Sequence, residues 1–428
     1  MNEQQLEVRK QRGYNIAKTS RIVKTEKGWK VPSQSGEGFY MVVSNGIEAK
    51  CSCPDCELRK CKCKHIWAVE LIVTKQVDDL GNVTITQTVR KTYKQDWHNY
   101  NLAQQKEKQL FMKLLADITS NVKQPAYAFG RPENTLSDSI YSMVFKVYST
   151  FSSRRFTTDM EMAKEQGFIE KITPRSSMSD CFKKKEITPL LAQIVQLTSL
   201  PLRTVEKDYA IDSTGFGTTV FQRWFSFKHG KEISSKRWVK CHFMTGVKSN
   251  IITSVSITSE FDNDSPELKK LVNATAQNFN MEEISADKAY LSKDNLEHIE
   301  EKGAMPFIPF KKNNNATGKG AIWKKMYYYF QLNNEDFLEH YHKRSNAETT
   351  VHMIKSKFGD FVRSKEWTAQ INEVLCKIIC HNIYCVIQEM FTLGIEANFV
   401  REVSHVSENS TFKGTYRTKL PSSSQEGR

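Results

Sequence analysis

The chain has 428 residues, 39% of them hydrophobic; that supports ordinary cores, excludes wholesale disorder, and at roughly 150 residues per domain suggests about three domains. Lys and Arg number 62 against 48 Asp and Glu, a formal net charge of +14, so an anionic partner such as nucleic acid is expected, held through phosphates and counterion release. No uninterrupted apolar run approaches the roughly 18–20 residues that cross a bilayer, and Met1-Asn2-Glu3-Gln4-Gln5 lacks the basic and apolar regions of a signal peptide; a soluble intracellular protein with no membrane partner is expected.

Residues 1–88 read as a small unit built around cysteines. Residues 29–31 and 39–43 have the texture of short strands, Asn45-Gly46 is a hairpin-turn signal, and 47–51 would be the returning strand. Five of the ten cysteines, Cys51, Cys53, Cys56, Cys61 and Cys63, fall within thirteen residues, and His65 follows. A disulfide scaffold would be smaller and more evenly seeded with cysteine, so in a reducing compartment this cluster reads as a metal site. Residues 66–73 then read as a buried helix. Thiolates and imidazole in fours suit tetrahedral zinc, with the strand end supplying Cys51 and Cys53 and the helix start supplying Cys63 and His65. Cys56 and Cys61 are surplus, and Cys61-x-Cys63 offers an alternative pair. Cys-x-Cys, nine residues, Cys-x-His and an apolar helix after a hairpin resemble the SWIM zinc finger over residues 28–75. That resemblance implies Cys51, Cys53, Cys63 and His65 as ligands of one structural Zn²⁺, in a ββα finger that binds DNA or protein.

Residues 89–205 are mostly helical in pattern and polar, with Leu110-Phe111 and Leu114-Leu115 at helix spacing and a break at Gly130-Arg131-Pro132. Arg154-Arg155 and Lys183-Lys184-Lys185 lie on segments that also carry Tyr148, Phe151, Phe156 and Phe182. A helical DNA-binding or linking domain is expected, although a solvated basic helix face has the same composition. Near 206 the texture turns to strands: 209–212, 237–244, 251–258, 283–286 and 305–310 are rich in β-branched or aromatic residues. Ser292 can cap a helix that Gly303 stops. Helices are expected over 340–358 and 368–392, and a disordered tail over 396–428. Three sequential strands, a helix-linked fourth and fifth, then helices, make residues 206–395 an α/β domain with a mixed sheet.

The expected helix over 340–358 carries Tyr341, Arg344, Glu348 and Lys355 at offsets 0, 3, 7 and 14, which at about 100° per residue fall within roughly 60° of one another. A carboxylate to hold a metal, cations to hold a phosphodiester and a tyrosine to pack on the backbone are what phosphoryl chemistry requires. Tyr, two residues, Arg, three residues, Glu, six residues, Lys matches the Y-R-E-K signature of insertion-sequence DDE transposases, and Tyr209-Ala210-Ile211-Asp212 and Ser285-Ala286-Asp287-Lys288-Ala289-Tyr290 resemble the two Asp motifs of that family. Alone, Asp212 would serve as a strand-end turn residue and Asp287 as a helix cap.

The resemblance covers residues 205–390 and implies a ribonuclease H-like core with Asp212, Asp287 and Glu348 as the catalytic acids. Such acids would hold two Mg²⁺ (or Mn²⁺) ions roughly 4 Å apart. It further implies that Tyr341, Arg344 and Lys355 contact the DNA end rather than the metals. His352 lies on the same helix, near enough in angle to line the site. The function implied is a DNA transposase that cuts double-stranded DNA at its element's ends and joins them to target DNA, as a homodimer associated with the nucleoid. No Gly-x-x-x-x-Gly-Lys-Ser/Thr loop is present, so no nucleotide cofactor is expected. Residues 313–320, rich in Asn and Gly, read as a DNA-facing insertion, with Trp323 and Tyr327–Tyr329 available for stacking or for the core. The rival readings are a transposase-derived DNA-binding regulator without catalytic activity and a junction-resolving nuclease of the same fold.

Overall fold

The computed structural model describes residues 3–25, 27–34, 38–44, 49–59, 62–77, 83–87, 96–124, 134–218, 237–311, 313–317, 320–397 and 399. The Asn45-Gly46 turn, Cys61, the break at 130–132 and all but the first residues of the expected tail lie outside them. The chain divides into two compact units, residues 1–95 and 96–428.

In the first unit, α1 (Glu3–Thr19) leads into β1 (Val23–Thr25), β2 (Gly28–Pro32), β3 (Phe39–Ser44) and β4 (Ala49–Cys51), an antiparallel sheet in that order. The short helix α2 (Pro54–Arg59) and α3 (Lys64–Ile72) follow, then the antiparallel pair β5 (Val73–Val77) and β6 (Val83–Gln87). The core is Ile16, Val31, Val42, Ile66, Ala68 and Val69 together with Cys51, Cys53 and Cys63. Helix α1 was not expected from the sequence: Val8 and Tyr14 on it are exposed, while Ile16 enters the core and Ala17 packs against it, so its apolar periodicity is faint. It packs against α3 through Gly13, where a Cβ would lie 2.6 Å from the Trp67 Cβ; the missing side chain is what lets the helices approach.

In the second unit, five helices come first: α4 (Trp97–Ser120), α5 (Leu136–Ser149), α6 (Thr157–Glu165), α7 (Arg175–Lys183) and α8 (Ile187–Ser199). The sheet strands are β7 (Asp208–Gly217), β8 (Trp238–Gly246), β9 (Ile252–Ser259), β10 (Glu283–Ala286) and β11 (Met305–Phe307). Between and after them lie α9 (Glu267–Ala276), α10 (Lys293–Glu301), α11 (Ala321–Leu332), α12 (Asn334–Tyr341), α13 (Ser345–Phe358) and α14 (Trp367–Thr392). Sheet order is β11-β10-β7-β8-β9, with β7, β8 and β9 antiparallel and β10 parallel to both β7 and β11. This mixed five-stranded arrangement is consistent with a ribonuclease H-like domain. Ser292 caps α10, its Oγ accepting from the Asn295 N–H at 3.1 Å, and Gly303 ends it with φ at +83°.

Alternation along β7 separates two cores. Ala210 and Phe216 face one side, with Val239, Cys241 and Phe243 of β8, and pack with α13, α14, α4, α5 and α8. Tyr209 and Ile211 face the other, with Met244 and Ile284, under α9, α10 and α11. Residues 96–199, expected within a separate helical domain, therefore share a continuous core with the sheet. The link is α14, a helix long and apolar enough to cross a membrane but mostly buried here, against α4, α5 and α8. A helix apolar on nearly every face is what such a central position selects. Asn382 pins it: its Nδ2 donates to Val195 O, Thr198 Oγ1 and Ile252 O at 2.8–3.1 Å, and its Oδ1 accepts from Ile252 N at 2.9 Å.

The helix expected over 340–358 is not regular. Residues His342–Arg344 form a tight 3-10 turn between α12 and α13, so Tyr341 ends one helix and Glu348 lies in the first turn of the next. No Gly or Pro marks that tightening; it coincides with ion pairs of Lys343 described below. Trp323 is buried in the core edge-on to Phe310, with ring centroids 5.0 Å apart, and is not available for stacking on a base.

Candidate active site and metal cluster

The parallel register of β10 on β7 pairs Ala286 with Ile211, so Asp287, the residue after β10, comes alongside Asp212. Asp212 Oδ1 accepts from the Ser213 N–H at 2.9 Å. Asp287 begins the 3-10 turn Lys288–Tyr290, its Oδ1 accepting from the Ala289 N–H at 3.3 Å. That is the capping role of a short acid, and it leaves Oδ2 for another partner. Glu348 comes from α13, whose underside (Ala347, Thr350 and Ile354) is buried. Thr350 Oγ1 lies 3.3 Å from Thr245 Oγ1 on β8, which ties the helix to the sheet.

The three carboxylates meet at Arg344. Its Nη1 is 2.8 Å from Glu348 Oε1 and 3.9 Å from Asp212 Oδ2, and its Nη2 is 3.3 Å from Asp287 Oδ2. The Arg344 side chain is 16% exposed, and its Nε is buried without a hydrogen-bond partner among the described residues. Burial pushes the Asp212 pKa up, against the Ser213 N–H and Arg344, and the charges on Glu348 and Asp287 add to the rise. Three carboxylates against one guanidinium leave two negative charges in excess. An all-oxygen set of several carboxylates is the donor chemistry of hard divalent cations such as Mg²⁺ or Mn²⁺, so these residues fit the expected metal.

The other signature residues divide. Tyr341 lies beside Arg344: burial raises its pKa and the guanidinium opposes the shift. Lys355 is two turns farther along α13, its Nζ 5.7 Å from the Phe216 ring centroid, and among the described residues it does not touch the three acids. His352 is exposed and bonds Ser356 at 3.3 Å.

Sequence reasoning missed the residues that hold Arg344 in position. Asp208 and Glu283 are partners across β7 and β10, an unfavourable like-charge pair unless a cation bridges it. Lys343 does so, its Nζ donating to both at 2.7 Å, while His340 Nδ1 lies 2.8 Å from Glu283 Oε2. The acids heading two strands were visible in the sequence, but their pairing depends on strand order. Behind Asp212, buried His242 lies 3.3 Å from both the Tyr290 hydroxyl and Asp264 Oδ1, and Lys240 reaches Asp264 at 2.8 Å. Burial, then Asp264 and Asp212, pushes the Tyr290 pKa up, which keeps its hydroxyl protonated.

In the first unit, Cys51, Cys53, Cys63 and His65 are all buried, and their ligand atoms lie within 4.8 Å of one another. His65 Nδ1 is 3.7 Å from Cys51 Sγ and 3.9 Å from Cys63 Sγ. The N–S edge of a tetrahedron with Zn–S near 2.3 Å and Zn–N near 2.0 Å is about 3.5 Å, so the set could hold a zinc ion. Hydrogen bonding from Cys51, then from His65, holds the Cys63 thiol down to about 3 despite burial, while the same contact pushes Cys51 up. The Tyr40 ring packs on His65 with centroids 4.8 Å apart. Cys56 is half-buried and outside the set.

Residues 203–383 match the family model described as "Transposase DDE domain". A transposase DDE domain is present in this chain. The matched stretch contains Asp212, Asp287, Arg344 and Glu348. A solved structure of a piggyBac transposase synaptic complex with hairpin DNA overlaps 71% of this chain and 80% of its own, at 11% sequence identity and a TM-score of 0.33. That overlap is too loose to bear on the fold.

Proposed function

We propose that this chain is a DNA transposase of the Y-R-E-K branch that cuts DNA at the ends of its mobile element and joins those ends to target DNA. The observation that carries the reading is the convergence of Asp212, Asp287 and Glu348 on one guanidinium, inside a stretch that matches a transposase DDE domain. Asp212, Asp287 and Glu348 would hold two Mg²⁺ or Mn²⁺ ions. Bound there, the ions would supply Lewis acidity at phosphorus and acidify the attacking water or 3′-hydroxyl.

The protein's own residues do the rest. Lys343, braced on Asp208 and Glu283, fixes the turn that carries Arg344. Released from the acids, the Arg344 guanidinium is positioned to take a phosphate of the DNA end through paired N–H donors. Tyr341 packs beside it, and Lys355 adds a cation farther along the same strand of DNA. One phosphodiester replaces another during joining, so no nucleotide is consumed. Residues 1–95, with a SWIM-like finger holding one structural zinc on Cys51, Cys53, Cys63 and His65, would recognise the element's ends together with the basic helical segment. Paired cutting of two ends calls for two such sites, hence a dimer on DNA.

The test uses DNA carrying the sequences that flank the gene, with Mg²⁺ or Mn²⁺ present and then chelated, and Glu348→Gln beside the wild type. Cleavage that leaves a 3′-hydroxyl, followed by joined products, is expected only with metal and only in the wild type. Binding without cleavage in either protein would overturn the reading in favour of a DNA-binding regulator.

A further inference from the structure

We propose that a basic trough at the far end of α13 from Glu348 binds the sugar-phosphate backbone of a DNA strand; the inference rests on the function proposed above and assigns part of its DNA to a surface. A cleft of about 820 Å³ opens between α5, α7, the end of α13 and the loop 359–366, and seven of its lining residues are cations against two carboxylates, Glu366 and Glu373. A second cleft of about 880 Å³ shares Ser152, Ser153 and Arg175 with the first, adds Arg154 and contains no acid. The two make one trough in which positive charge is spread out, as a polyanion requires, rather than gathered as a single small anion would need.

Two kinds of cation line it. Some brace the walls. Lys377 donates to Phe358 O, Gly359 O and Phe361 O at 2.7–2.8 Å, and Arg363 donates to Thr150 O and Phe151 O at 2.7 and 3.1 Å. Glu373 in turn accepts from the backbone of Arg363 and Ser364 at 2.9 Å, so one of the two acids is spent inside the wall. Arg154, Arg175 and Lys365 are different. They are exposed, and among the described residues their side chains make no ion pair or hydrogen bond. Thr150, Ser152, Ser153 and Ser179 line the same trough and bring hydroxyls to it. Free cations together with hydroxyls are the donors that contact phosphates rather than bases.

The trough lies about 14 Å along α13 from the acids, since Lys357, on its wall, is nine residues from Glu348 at 1.5 Å per residue. Nine residues are two and a half turns, so Lys357 leaves the helix on the side opposite Glu348, where Glu107 holds it at 2.6 Å. The cations left for phosphates are therefore Arg154, Arg175 and Lys365.

The experiment measures affinity of the full chain for a DNA duplex by fluorescence anisotropy from 50 to 200 mM salt, without added divalent metal. It compares wild type with Arg154→Gln/Arg175→Gln/Lys365→Gln and with a control losing the same charge outside the trough, Lys113→Gln/Lys302→Gln/Lys325→Gln. All six positions are exposed, and thermal unfolding checks that folding is unchanged. Each phosphate contact contributes about 0.9 to the slope of log K against log salt. The trough variant should lose about 2.7, so that its affinity relative to wild type recovers by about 40-fold between the two salt concentrations. The control should keep the wild-type slope. A trough variant with the wild-type slope, or a control that loses as much, overturns this inference and leaves the proposed function standing. A wild type that does not bind DNA at 50 mM salt overturns the proposed function and this inference with it.

Discussion

Replacing Arg344 by Gln should weaken the metal-free protein and tighten its hold on divalent metal, two effects of opposite sign from one change. The guanidinium reaches Glu348 at 2.8 Å, Asp287 at 3.3 Å and Asp212 at 3.9 Å. Glu348 is 64% and Asp287 44% exposed, so solvent screens most of that attraction. What remains is worth about 1–2 kcal/mol. A metal taken up by the same carboxylates must first undo those contacts and share the space with a positive charge. Removing them should lower the Kd for Mn²⁺ or Mg²⁺ by about 5–30-fold, at roughly 1.4 kcal/mol per decade. Isothermal titration with Mn²⁺ in the absence of DNA reads this directly. Thermal unfolding adds a second reading: the variant should melt below wild type without metal, and the gap should close as metal saturates the site. Lys at this position should fall between the two, because one ammonium cannot span three carboxylates as a planar fork does. Strand joining should be lost in the Gln variant even with metal bound, since its DNA contact is gone. A variant that binds Mn²⁺ no more tightly than wild type would refute the view that Arg344 and metal compete for one set of acids.

Three further outcomes are expected. Elemental analysis should find one zinc per chain, retained in Cys56→Ser and lost in Cys63→Ala, with residues 1–95 becoming protease-sensitive as zinc is lost; equal zinc in both variants would exclude the Cys51, Cys53, Cys63, His65 set. His381, fully buried and bonded to Asn250 O at 2.8 Å, has its pKa lowered by burial to about 4 from 6.5. The unfolded chain therefore takes up the proton first, and stability present above pH 6.5 is lost as pH falls through 4, by about 2 kcal/mol between pH 7.5 and 5. In His381→Gln, urea titrations at the two pH values should differ by that much less; an unchanged difference assigns the acid loss to other groups. Asn382→Leu should cost about 2 kcal/mol or more, because it removes the side-chain partner of the Ile252 N–H and carbonyl in the core, while the Val195 carbonyl keeps the Thr198 hydroxyl at 2.7 Å; a loss below about 1 kcal/mol would mean that water or a local shift satisfies them.

The strands were the most legible part of the second unit. Residues 283–286 coincide with β10, and β8 and β9 were expected within two residues of their bounds, while β7 runs five residues past the expected end at 212 and β11 stops three short of 310; β-branched runs between turn residues identify a strand wherever it later pairs. Asp287 was attached to the end of β10 for the same reason, whereas Asp212, expected to close a strand over 209–212, lies in the middle of β7. The division of residues 96–199 from the sheet was not legible as it stands in the fold. Helix periodicity reports that Phe111, Leu114 and Leu115 face a core but not which core, and only the burial of α14 among α4, α5, α8 and the sheet joins them. Helix α1 was missed because small residues, Gly13 and Ala17, share its packing with Ile16. The 3-10 turn at His342–Arg344 was missed because Lys343 is drawn to Asp208 and Glu283, a contact between residues far apart in the chain.

The same limit explains Lys355. A helical projection compares angles and discards height, so residues at offsets 7 and 14 look equally close to the acids. Seven residues rise about 10 Å, which removes Lys355 from the carboxylates while keeping it on their side of α13, above Phe216. The helix then presents Glu348 where the three acids meet, Lys355 two turns on and Lys357 at the wall of the basic trough. Lys357, on the opposite side of the helix from Glu348, is paired with Glu107 at 2.6 Å, whereas a single point of chemistry would leave Lys355 with no carboxylate among the described residues. A phosphodiester chain lying along that face of the helix has a phosphate for Lys355, and the spacing of Glu348 and Lys355 is therefore better explained by the length of a DNA strand than by the geometry of the acid cluster alone.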